Sequence, residues 1–118
     1  MTASRNLLLF AAFNGAVAVA LGAFAAHGAG PQVKTLLSTG AHYQLAHAVF
    51  AVACALWTGE SRLVRLAGWL GALGGLVFCL ALALIALFSL SAMGAVAPVG
   101  GLLMIAAWLC LAFAALRS

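Results

Sequence analysis

Side chains able to do chemistry are few in this chain and gather in one stretch. Gly40-Ala41-His42-Tyr43-Gln44-Leu45-Ala46-His47 holds two of the three histidines and the only tyrosine. His27 lies a short loop earlier, and Asn14 sits inside the first apolar run. Histidine changes charge between about pH 5 and 8 and ligates metals, so His27 and His47 are candidates for relaying protons, binding a small solute, or holding a metal or haem between neighbouring helices. The plainer use of the set His27, Tyr43, Gln44, His47 and Asn14 is hydrogen bonding between helices, which fixes how they pack.

Geometry narrows these uses. At 100° per residue Tyr43 and His47 share one helical face, with Gln44 beside them, whereas His42 and His47 diverge by about 140° and form no same-face chelate. Glu60 is the only acid, so chemistry by paired carboxylates is excluded. No Ser-His-Asp set and no phosphate-binding glycine loop is present, and no catalytic residue is assigned. Cys54, Cys79 and Cys110 lie within apolar runs at spacings that match no metal or redox motif, and read as small buried hydrophobes. No resident cofactor or metal is expected.

The elements that position these residues follow from composition. The chain has 118 residues, 68% hydrophobic and 5% charged, far outside the range of soluble domains and expected of a single membrane domain, residues 1–118. The net charge of +4 rests on Arg5, Lys34, Arg62, Arg65 and Arg117, which are dispersed between apolar runs. They read as topology signals and not as a nucleic-acid surface. The partners expected are the lipid bilayer and either further copies of the chain or a larger membrane complex.

Four spans are predicted, over about 7–26, 41–58, 66–88 and 98–116, each near the length that crosses a bilayer. Arg5 followed by an apolar run and Ala23-Phe24-Ala25 also fits a cleavable signal peptide, but the run is longer than a usual signal core and a retained span is preferred. Pro31 starts a short interfacial helix over 31–38, and Ser38-Thr39-Gly40 reads as a break before the second span. Ser61 is the expected N-cap of the third span. Gly15 and Gly22 share a stripe of the first span, and Gly71 and Gly75 form a small-x-x-x-small pair in the third; all four are assigned to helix packing. Pro98, Gly100 and Gly101 make an irregular start to the fourth span.

Counting basic residues sets the topology. With a cytoplasmic N-terminus the inside carries Arg5, Arg62, Arg65 and Arg117, and the outside only Lys34. The expectation is an all-α, antiparallel up-down four-helix bundle with both termini cytoplasmic and His27, Tyr43 and His47 near its outer end.

Three motifs carry a family resemblance: Gly22-Ala23-Phe24-x-Ala26-His27-Gly28, Tyr43-Gln44-x-x-His47-Ala48, and Pro98-Val99-Gly100-Gly101 with Trp108. In order and spacing they resemble the YgdD-like family of small inner-membrane proteins, a domain of unknown function. The third span departs from the hydroxyl-rich stretch often found there and reads Phe78-Cys79-Leu80-Ala81. The resemblance implies a four-helix protein of the bacterial inner membrane with no assigned activity. A structural or accessory role is the expected function; a small proton or solute transport subunit is the alternative, and metal or haem binding a lesser one.

Overall fold

The structure, a computed structural model, describes residues 2–28 and 30–117. Four helices follow one another: α1 Thr2–Gly28, α2 Pro31–Ala55, α3 Arg62–Phe88 and α4 Ala97–Arg117, with a 3-10 helix Ser91–Ala95 before α4. Ser61 caps α3, its hydroxyl accepting from the Val64 amide at 3.2 Å. Ser89 ends α3 in the left-handed region at φ 55°.

The first and third helices begin earlier than the predicted spans, and the second differs at both ends. No break separates an interfacial helix from a second span, because α2 runs unbroken from Pro31 through Gly40 to Ala55. Gly40 had read as a helix stop, but its lack of a side chain serves a contact: a Cβ there would lie 3.2 Å from the Cα of Cys79 on α3. The second helix also ends three residues before Thr58, where Leu56 turns the chain.

The packing is that of a protein whose solvent is apolar. Buried positions are mostly small, among them Ala11, Ala18, Ala51, Ala67, Ala72 and Ala107, while Leu102, Leu109 and Leu116 stand exposed. Small buried residues let helix backbones approach, and large apolar ones turned outward suit lipid. Three helical segments are long and apolar enough to cross a membrane: Ser4–Gly28, Arg62–Phe88 and Ser91–Arg117. The more polar α2 lies between α1 and α3, and α4 packs along α3.

Neighbouring helices run in opposite directions. Gly15 and Gly22 of α1 face Ala48 and Ala41 of α2, and Gly71 and Gly75 of α3 face Phe50 and Gln44. The tightest approach joins α3 to α4, where a Cβ on Gly100 would lie 2.6 Å from the Phe78 nitrogen and 2.8 Å from the Gly74 oxygen. Leu7 of α1 reaches Gly68 of α3, so Arg5, Arg62, Arg65 and Arg117 all fall at one end of the bundle and Lys34 at the other.

Candidate functional site: a polar seam and the groove beside it

Asn14 and Gln44, both fully buried, meet across α1 and α2. The Gln44 amide donates to Asn14 Oδ1 at 2.8 Å, and the Asn14 amide donates back along its own helix to the Phe10 carbonyl at 3.0 Å. Gln44 Oε1 is buried with no partner among the described residues.

On the adjoining side of α2 stands His47, 6% exposed. Its Nδ1 lies 2.8 Å from the Tyr43 carbonyl, and the Trp108 indole N–H points at its Nε2 from 3.0 Å. A carbonyl only accepts and an indole N–H only donates. Nδ1 therefore carries the proton and Nε2 offers its lone pair to Trp108; a single neutral tautomer satisfies both contacts. The ring packs against Phe50, itself edge-on to Trp108 at 4.4 Å between centroids.

The predicted polar set is thus brought together only in part. Asn14 of α1 pairs with Gln44 of α2, and beside them on α2 His47 meets the Tyr43 carbonyl, but His27 is exposed at the end of α1. The facing of Gly22 with Ala41 sets His27 level with Leu36, about 16 Å along α2 from His47 at 1.5 Å per residue. Of the irregular start to α4, Gly100 packs on α3, Gly101 meets nothing and Pro98 is exposed. One residue that sequence reasoning did not assign to the site completes it, and one glycine proves to pack differently from its neighbours. Trp108 is the donor for His47, and its signal was the N–H it carries at matching depth on α4. Gly74 lies one position from the predicted Gly71 and Gly75 pair and faces α4 instead of α2.

Because α4 packs along α3, the seam between α4 and α2 is open and bridged chiefly by aromatic side chains. A cleft of about 510 Å3 there is lined by Thr39, Tyr43, His47, Phe78, Gly101 and Trp108. Its walls are mostly apolar, and Tyr43, 47% exposed, brings a hydroxyl to it. His47 has no free ring nitrogen to offer. Among the described residues, no three His, Cys, Asp or Glu side chains assemble as a metal would need.

Comparison with known proteins places this arrangement in context. A family described as "Protein of unknown function (DUF423)" matches residues 21–101. The Escherichia coli inner membrane protein YgdD is 34% identical over 120 residues, covering 97% of this chain and 92% of its own. The Bacillus subtilis membrane protein YwdK is 30% identical over 120 residues, covering 96% and 98%. A Staphylococcus epidermidis membrane protein is 32% identical over 118 residues, covering 96% and 97%. No solved structure matches the chain.

Proposed function

Since the chain belongs to the DUF423 family of membrane proteins, we propose that it is a structural or accessory component of the bacterial inner membrane, crossing it four times with both termini in the cytoplasm. The observation that carries this reading is His47, whose two ring nitrogens are both engaged, one by the Tyr43 carbonyl and one by Trp108. The residue best suited to relay a proton or ligate a metal is instead a joint between α2 and α4.

The fourfold crossing draws on packing. α2 is the least apolar helix, yet Gln44 and His47 turn inward, where they find partners. Interposed between α1 and α3, it passes through whatever depth they do. The clustering of Arg5, Arg62, Arg65 and Arg117 at one end supports placing that end in the cytoplasm. A transport relay through His27 and His47 gains less support, given their axial separation and the exposure of His27.

An accessory protein works through a partner, either its own copies or a larger complex. The test is purification from native membranes in a mild detergent, with mass and composition measured together. A stoichiometric homo-oligomer or heteromeric complex is expected. A bare monomer, or a pH-dependent flux in liposomes that disappears in His47→Ala, would overturn the reading.

A further inference from the structure

Three cavities follow one another by shared lining residues, the first among the α2–α3 turn, the start of α3 and the end of α4, the other two along the open seam between α2 and α4. At the arginine end, a cleft of about 470 Å3 is lined by Trp57, Glu60, Arg62, Ala114 and Arg117. It shares Trp57 with a groove of about 250 Å3 lined by Val49, Phe50, Cys54, Trp108 and Leu111. That groove shares Trp108 with the 510 Å3 cleft beside His47.

The chemistry changes along this path. Arg62 and Arg117 are exposed, and among the described residues neither pairs with a carboxylate; Arg117 lies over the Phe113 ring at 5.7 Å. Glu60, which also lines the first cleft, is held by Arg65 at 3.5 Å. Among the described residues, two guanidiniums therefore outnumber one carboxylate that already has a partner, and the cleft suits an anion. Beyond Trp57 the walls are apolar as far as Trp108. Along α2 the groove runs from Ala46 to Cys54, about 12 Å, and the turn at Trp57 carries it further, so that it covers most of the roughly 15 Å that one leaflet of acyl chain fills.

We propose that this groove binds one anionic glycerophospholipid, its phosphate held between Arg62 and Arg117 and one acyl chain lying along Val49, Phe50 and Leu111 toward Trp108. The charge at one end and the apolar length beyond it match the two parts of such a lipid, and basic pockets between helices on the cytoplasmic side are suited to anionic headgroups. Trp108, pinned by His47, forms the far wall. The inference rests on the bilayer setting of the bundle and not on an accessory role; failure to find a protein partner leaves it standing.

The experiment places the full chain carrying Trp69→Phe, which retains a ring against Phe10, in vesicles of phosphatidylcholine. Chain-brominated phosphatidylglycerol or chain-brominated phosphatidylcholine is then added at equal mole fraction, and quenching of Trp57 and Trp108 is read. Quenching favours the anionic lipid, and Arg62→Gln and Arg117→Gln each lower the preference about fivefold, as expected for one basic contact at the surface. Arg62→Lys keeps most of it, and Arg5→Gln, which removes a charge at the same end but outside the cleft, leaves it unchanged. Equal quenching by the two lipids, or an equal loss in Arg5→Gln, overturns the site. Inorganic phosphate at millimolar concentration leaves the preference intact; if it abolishes the preference, the cleft takes a free anion and the lipid assignment fails. Native mass spectrometry of the unmutated protein tests the site without a variant: one retained phosphatidylglycerol per chain is expected, and a chain that retains none rejects the site.

Discussion

Trp108 donates its indole N–H to Nε2 of His47 at 3.0 Å, and this bond joins α4 to α2 across a seam where the backbones stay apart. Trp108→Phe keeps a ring beside Phe50 while removing the donor, so the loss isolates the hydrogen bond. Such bonds within membranes contribute about 0.6 kcal/mol on average and up to about 1.7 kcal/mol. Trp108→Phe is expected to destabilise by that amount in a reversible unfolding measurement in detergent or bicelles. Trp108→Ala costs more, since the 4.4 Å ring contact with Phe50 also goes. Unchanged stability in the Phe variant would show that the bond does not form in the folded state.

Glycines that look alike in the sequence separate sharply when a Cβ is added. At Gly22 the nearest neighbour would be the Ala41 Cβ at 3.9 Å, an ordinary contact. At Gly100 it would be backbone at 2.6 and 2.8 Å, which has no rotamer by which to move aside. Gly22→Ala is expected to lie within about 1 kcal/mol of the parent, neutral or slightly stabilising. Gly100→Ala forces α3 and α4 apart and costs about 1–3 kcal/mol, the usual range for overpacking. Thermal melting of the two variants in one detergent compares them directly, and similar melting temperatures would contradict the α3–α4 contact.

That contrast also shows how far the sequence is legible. Hydrophobic runs fix the number of helices and most of their extents, because burial in a bilayer demands continuous apolar length. Gly40 misleads for a physical reason: a glycine that ends a helix and one that admits a neighbouring backbone are identical until the neighbour is known. Gly74 and Trp108 escape for the same reason. Their roles depend on which helix occupies the next face, and nothing in the order of residues along α3 or α4 states that. Gln44 and Asn14 are legible as polar groups in need of partners, but their pairing requires the register of α1 against α2.

The Asn14–Gln44 pair predicts an asymmetry. Asn14→Leu leaves both Gln44 amide atoms buried without partners, since Oε1 already has none. Gln44→Met removes that orphaned acceptor along with the bond and strands only Asn14 Oδ1. Burying an unsatisfied polar group costs more than deleting a hydrogen bond between well-matched groups. Asn14→Leu is therefore the more destabilising of the two. A double-mutant cycle is expected to give a coupling of about 0.6 kcal/mol, with about 1.7 kcal/mol as its ceiling. Zero coupling, or a larger penalty for Gln44→Met, would mean the two amides do not meet.

The proposed sidedness is tested at the two connections that α3 joins. The turn between α2 and α3 lies at the end that carries Arg62, Arg65 and Arg117, and the 3-10 segment between α3 and α4 lies at the opposite end. An excess of arginine marks the cytoplasmic side, since short loops rich in basic residues are retained there. In a background with Cys54, Cys79 and Cys110 changed to alanine, Thr58→Cys and Ser91→Cys place single thiols at exposed positions on the two ends. A membrane-impermeant maleimide applied to intact spheroplasts is expected to label Ser91→Cys and to reach Thr58→Cys only after lysis. The reverse pattern would invert the protein in the membrane, and labelling of both before lysis would mean that α3 does not cross it.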